Sequence, residues 1–431
     1  MMINEGVWGV MMGLRNMWML FFAMLIFFMI WASGELIDFK ILLCIIIILI
    51  GVTRNILDGQ VKISQNVIYW LLAYETANLF WLILSFAYGN SGALIYINVE
   101  IIEPILLVTI ICFIREWELK KIKYLFVYIS LFIYVYNIVG FMAINSFLPI
   151  GSLPFIKSDF GGVLLLGVMK TSAQYIQWLY FLIPANIVLY FYRNELYEKR
   201  LVKLVKINFV LSYITVFIVL KTAMILLVFF TTLFCFFKYE KFSRTLNIKV
   251  AIKAALVIML MIIIMFFGAG DVIYDSIVLK VLVSIGSVEY VNAYGLSDGG
   301  ASIRMEQIAD LITTWEMNPI LGWGTGANSL HVIRSSVNGT YEATYVAMLM
   351  QRGVLGIIIY ITLVGWLFKK LIYYVKKNIY KMESVYIMAG LSGMLFGNAT
   401  NPMLGSFDRL IILFLPLMII NVYTNRRSVY G

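Results

Sequence analysis

The sequence predicts an all-α fold: a polytopic transmembrane helical bundle of about twelve spans, with a large extracytoplasmic loop that contains an amphipathic helix. Three observations predict it. Of 431 residues, 62% are hydrophobic and 13% charged. A soluble domain is about half apolar and a quarter charged, so the apolar excess needs lipid as its solvent. The apolar residues fall into runs that approach the roughly 20 residues needed to cross hydrocarbon. Lysine and arginine gather between alternate pairs of those runs, as cytoplasmic segments do.

Taken in order, the expected spans lie near 17–36, 39–53, 66–88, 93–114, 124–146, 174–192, 204–220, 222–237, 250–268, 343–367, 384–399 and 407–424. The first follows Arg15, lacks a convincing cleavage site and reads as a retained signal anchor. Residues 204–237 exceed what one tilted span requires, so a break is expected near Lys221. With the N-terminus inside, most of the 33 basic residues fall in inside segments. The exceptions are Lys40, Lys157, Lys170, Lys221, Lys280, Arg304, Arg334, Arg352 and Arg409. Both termini are therefore expected on the cytoplasmic side of one integral membrane domain. The net charge of +10 then orients spans, and nucleic acid is not expected as a partner.

Two connections are long on the outward side, 147–173 and 269–341, and loops of that length are commonly functional. Within the second, ASIRMEQIADLITTWEM at 301–317 places Ile303, Ile308, Leu311, Ile312 and Trp315 on one helical face. Ser302 is a candidate N-cap, and Asn318-Pro319 ends the helix. Gly322, Gly324 and Gly326 alternate in the stretch that follows, without the βαβ context of a dinucleotide fingerprint. They read as a tight turn where a ligand can approach the backbone.

Cations away from the basic side require a reason. Lys221 sits between two apolar runs and either snorkels to headgroups or binds an anion in an outward cavity. Arg304 opens the loop helix, where a guanidinium and the helix N-terminus both favour phosphate; otherwise it is a solvated surface charge. Arg334 and Arg352 are weaker candidates of the same type. Glu342, where the loop re-enters the membrane, is either a general base or half of an interfacial ion pair. Glu289, Asp298 and Glu306 are alternative acids. Glu75, Glu100 and Glu103 lie within spans, where acids mark function or pair with neighbours such as Asn78 to specify packing. His331 is the sole histidine, and Cys44, Cys112 and Cys235 are far apart, so no metal site or cofactor motif is expected.

The late loop and its return into the membrane resemble the O-antigen polymerases and O-antigen ligases of bacterial envelopes. The residues that carry the resemblance are Arg304 in SIRMEQIADLITTWEMNP, Asn318-Pro319 followed by Gly322 and Gly324, and Gly353 and Gly356 in QRGVLG. Lys221 in VLKTAM stands where family members tend to place an arginine between two spans. Glu342 stands near the histidine of the ligases, which favours the polymerases. The resemblance implies a membrane glycosyltransferase of the bacterial cytoplasmic membrane, with no metal or other cofactor. It would move a glycan from undecaprenyl pyrophosphate to a hydroxyl of the next lipid-linked repeat unit. Lys221, Arg304, Arg334 and Arg352 would bind the pyrophosphate, Glu342 would be the base, and Trp315, Trp323 and Tyr341 are candidates to stack on sugars. Membrane lipid is a further partner, and a chain-length regulator is left open. The rival readings are a ligase and a flippase or other transporter, the latter with its site among Glu75, Glu100 and Glu103.

Overall fold

The structure, a computed structural model, describes residues 5–58, 63–149, 153–163, 169–172, 174–219, 221–240, 299–331 and 339–430. Its helices are α1 (Glu5–Trp31), α2 (Ile37–Leu57), α3 (Gln65–Ala87), α4 (Ala93–Ile97), α5 (Glu103–Cys112), α6 (Glu116–Ile144), α7 (Leu179–Phe191), α8 (Lys199–Val219) and α9 (Thr222–Glu240). After the undescribed stretch come α10 (Gly299–Glu316), α11 (Thr344–Lys376), α12 (Lys381–Asn398) and α13 (Phe407–Tyr430). A π-helical turn, Asn98–Ile102, joins α4 to α5.

Eight of these helical segments are long and apolar enough to cross a membrane, by length and composition. The chain is a multi-pass helical membrane protein. Eleven of the twelve expected spans coincide with helices, and 250–268 lies outside the described residues. Three of the eleven, α7, α9 and α12, fall outside the set of eight. The break near Lys221 is present: α8 ends at Val219 and α9 begins at Thr222.

The structure corrects several expectations. The 147–173 connection, expected as a loop, holds a two-stranded antiparallel ribbon, β1 (Lys157–Val163) with β2 (Met169–Ser172), a small addition to a helical fold. α1 begins well before residue 17, which puts Arg15 inside the helix, its guanidinium 3.8 Å from the centre of the Trp117 ring. The loop helix starts at Gly299, so Ser302 lies inside it and is not its N-cap.

Two helices form the centre of the bundle. Leu179 through Leu189 of α7 are all buried, as is every residue from Phe407 to Val422 of α13. Both read as apolar on every side, and a helix apolar all round must be surrounded by protein or lipid. α12 meets α7 through a face of small residues, Gly390, Gly393 and Gly397. At Gly393 a side chain would collide with the Tyr180 carbonyl and the Pro184 ring, so this close crossing depends on glycine.

Buried ion pairs tie the helix ends. Arg54 of α2 donates to Glu118 Oε1 at 2.7 Å and to the Phe113 carbonyl, while Glu118 also accepts the Arg115 N–H at 3.0 Å and so caps α6. Elsewhere, Lys40 donates to both Asp408 carboxylate oxygens at 2.8 Å and to the Ala32 carbonyl at 2.7 Å. The Gly34 N–H completes the Asp408 shell at 2.6 Å. Neighbouring Arg409 donates to the Met403 carbonyl and to Ser33. Removing one partner of a buried pair strands the other charge, at about 3–5 kcal/mol. Lys40→Ala should therefore lower the melting temperature of the detergent-solubilised protein by an amount equivalent to that cost. Lys120→Ala, which breaks only the exposed pair with Glu116, should cost under about 1 kcal/mol.

Candidate functional site

The segment from 318 to 330 is built into the helices and does not lie loosely over them. Its docking begins at a break in α11. Gly353 adopts φ 64°, ψ −173°, which no helical residue does. In a regular helix the N–H groups of Val354 and Leu355 would bond the carbonyls of Met350 and Gln351. Here Val354 donates to the Pro319 carbonyl at 2.9 Å and Leu355 to that of Ile320 at 3.2 Å. The two carbonyls released accept the N–H groups of Trp323, at 3.1 Å, and Gly324, at 2.8 Å. The helix opens at one point, and residues 319–324 supply both halves of the missing bonds. Every backbone group at this depth needs such a partner.

The other wall is α3. Trp81 Nε1 donates to the Leu321 carbonyl at 2.8 Å, Ser85 Oγ to the Thr325 carbonyl, and Asn90 Nδ2, just past the helix, to the Trp323 carbonyl at 2.7 Å. Gly324, with φ 85°, lies against the Ser85 backbone, where any Cβ would clash. The alternating glycines thus admit the protein's own backbone, where the sequence suggested room for a ligand. Gln351 seals the far side by donating to the carbonyls of Ala327, at 3.1 Å, and Gly339, at 2.7 Å.

Beneath this segment lies a buried polar cluster. Arg352 is ion-paired with Glu100 and donates to Asn78 Oδ1 at 2.9 Å. Glu100 sits on the π-helical turn, a form that recurs at functional sites. Pro104 has no N–H to offer the Glu100 carbonyl four residues back, and Asn78 Nδ2 donates to that carbonyl at 3.0 Å instead. Glu75 is a like-charge neighbour of Glu100, and neither of its carboxylate oxygens has a hydrogen-bond partner among the described residues.

α10 covers the end of the bundle. Its inward face is Gln307, Asp310, Leu311 and Thr314, largely polar, whereas Ile312 is exposed and Ile308 only partly covered. These side chains hold the loop's backbone. Gln307 Oε1 accepts the Glu342 N–H at 3.2 Å, Asp310 Oδ2 the His331 N–H at 3.1 Å, and Thr314 Oγ1 the Leu330 N–H at 3.2 Å. The Thr314 carbonyl accepts Trp323 Nε1 at 2.8 Å. Tyr341 is buried, its hydroxyl accepting the Ser329 N–H at 2.6 Å.

The expected site residues therefore separate into groups. Arg304 lies on α10 one turn before Gln307, and its side chain is outside the described residues. Glu342 is half-buried and joined to that helix through Gln307. Arg352 and Glu100 are partners, with Glu75 adjacent. Glu103 has Asp408 as its charged neighbour and belongs beside the Lys40 pair. Lys221 occupies the break between α8 and α9, its carbonyl accepting the N–H groups of Met224 and Ile225. Arg334, Glu289 and Asp298 lie outside the described residues, and Glu306 is exposed. Asn78, Gln307, Asp310, Thr314 and Gln351 organise this region without having been singled out by function. The i, i+3, i+7 spacing of Gln307, Asp310 and Thr314 was the available signal.

The chain matches no protein-family model and no curated protein.

The opened helix makes a sharp prediction. Gly353→Ala forces a side chain into the left-handed region and against the Ile320 carbonyl, so stability measured by thermal unfolding should fall by about 1–3 kcal/mol. Gly365→Ala, in the same helix with open space around it, should be neutral or gain up to about 1 kcal/mol.

Proposed function

We propose that this protein polymerises undecaprenyl-pyrophosphate-linked oligosaccharide repeat units into an O-antigen or capsular-type polysaccharide. In this reading it lies in the bacterial cytoplasmic membrane with both termini cytoplasmic, and α10 faces outward. The observation that carries it is the bond from Glu342 to Gln307. Through its backbone N–H it fastens the residue that bears a carboxylate, where the loop returns to the bundle, to the helix that bears Arg304, one turn from Gln307.

The chemistry follows from those groups. The acceptor hydroxyl of the incoming repeat unit attacks the anomeric carbon of the growing chain. The bond from that carbon to the pyrophosphate oxygen breaks, and the electron pair leaves with the pyrophosphate. Glu342 takes the hydroxyl proton. Arg304 and Lys221 neutralise the charge that grows on the departing pyrophosphate. Arg334 completes the cationic set. Arg352 is engaged by Glu100 and Asn78, so its part is to position the platform, and direct contact with pyrophosphate would require that pair to open. The reaction assigns no step to a metal or cofactor. A ligase would use the same groups with a different acceptor.

One observation favours a second reading, a flippase or transporter of lipid-linked oligosaccharide. Glu75 holds a carboxylate with no hydrogen-bond partner among the described residues, beside Glu100 inside the bundle, and intramembrane acids commonly line transport paths.

The test is surface glycan in cells whose only copy is Arg304→Ala or Glu342→Gln, with membrane levels checked by immunoblot. The expected result is normal protein, single repeat units on the surface and polymer reduced by roughly 100-fold or more. Unchanged long chains would overturn the assignment. Absence of any surface repeat unit would favour transport.

A further inference from the structure

At the far end of α11 from Arg352, the helices α3, α11 and α13 line a partly open cavity of about 360 Å³. Lys369 lies roughly 23 Å along α11 from Val354, the first residue past the break beside Arg352, at 1.5 Å per residue, most of the thickness of the hydrocarbon core. The cavity is thus at the opposite membrane interface from α10.

Its lining has two chemistries. Lys369 and Lys370 supply two cations, and neither has a carboxylate partner among the described residues. Arg115, Lys123, Lys381 and Arg426 pair with Asp58, Glu383, Glu195 and Glu116. Lys376 and Lys377, further along α11, are like Lys369 and Lys370 without a carboxylate among the described residues, and what distinguishes Lys369 and Lys370 is that they line the cavity. Below the lysines is an aromatic floor. Tyr374 is buried, its ring 4.9 Å from that of Tyr423, and the Lys370 ammonium stands 5.2 Å from the Trp366 ring centre. Asn66 and Thr424 add polar groups to the lining. The flanking faces of α3 and α11 expose Tyr69, Leu72, Ile358 and Ile361, which suit acyl chains.

We infer that this cavity binds the phosphate headgroup of an anionic membrane lipid, with Lys369 and Lys370 as its ligands and its acyl chains along α3 and α11. Two ammonium groups without acids call for an anion, and lysine serves phosphate as a point charge. Tyrosine and tryptophan at this depth match the headgroup layer. Basic pockets between transmembrane helices have this use. The site is independent of the polymerase reading, since it lies at the other end of the bundle and uses none of its residues.

The experiment is native mass spectrometry of the full-length protein in detergent, titrated separately with phosphatidylglycerol, phosphatidylcholine and inorganic phosphate. The wild type should retain phosphatidylglycerol in clear preference to phosphatidylcholine. Each lysine near an anionic surface is worth about fivefold, so Lys369→Gln with Lys370→Gln should weaken phosphatidylglycerol binding roughly 25-fold. The double arginine variant at the same positions should keep it, which separates loss of charge from loss of fold. Lys376→Gln with Lys377→Gln, exposed lysines beyond the cavity, should leave binding unchanged. Equal retention of the two lipids by the wild type would overturn the inference. So would equal losses in the two glutamine variants, or inorganic phosphate binding as tightly as the lipid, which would mark a site for a soluble anion.

Discussion

Hydrocarbon offers no partner to a backbone amide or carbonyl, so an irregular segment can sit at membrane depth only where protein satisfies it. Gly353 meets that constraint here. By opening α11 it frees two carbonyls and two N–H groups in register, and residues 319–324 take up all four. The segment enters as a substitute for a helical turn. Its glycines follow from the same geometry, since backbone meets backbone at Ser85, Gln351 and Ile320 with no room for Cβ atoms. Everything above it, including α10 and the start of α11, inherits its position from this exchange.

The charges obey a related rule. Among the cations that fall away from the basic end, Lys40 and Arg352 each have a carboxylate partner, Asp408 and Glu100, and Arg409 has Ser33 and the Met403 carbonyl. These residues fasten helices distant in sequence: α2 to α13 by Lys40, and the π-helical turn to α11 by Arg352. The pair at Arg352 lies under the docked segment, so the ion pair and the backbone exchange hold one platform.

The sequence was most legible where a single physical signal acted alone. Eleven apolar runs fall on helices of the structure, and the excess length of 204–237 located the break at Lys221. It was less legible where two requirements competed. α10 has an apolar stripe, yet it buries Gln307, Asp310 and Thr314, because what lies beneath it is exposed backbone needing hydrogen bonds. Hydrophobic periodicity ranks that face wrongly. The partnership of Arg352 with Glu100 spans 252 positions and depends on a π-helical turn that no local pattern announces. The strands β1 and β2 are short, and β1 carries Gly161 and Gly162, with no hairpin signal strong enough to read. Of this region, the helix bearing Arg304 was legible from its periodicity, whereas its link to Glu342 through Gln307 and the hydrogen bonds beneath it were not.

The most direct test of this account is a double-mutant cycle on Arg352 and Glu100, using Arg352→Met, Glu100→Gln and the combined variant. Melting of the full-length protein and surface glycan length would be read together. If the ion pair anchors the platform, each single variant destabilises the protein and shortens the glycan, and the combined variant recovers part of the loss, with a coupling of about 1–3 kcal/mol. Losses in the combined variant equal to the sum of the two single losses would mean that the residues act separately, contradicting the account.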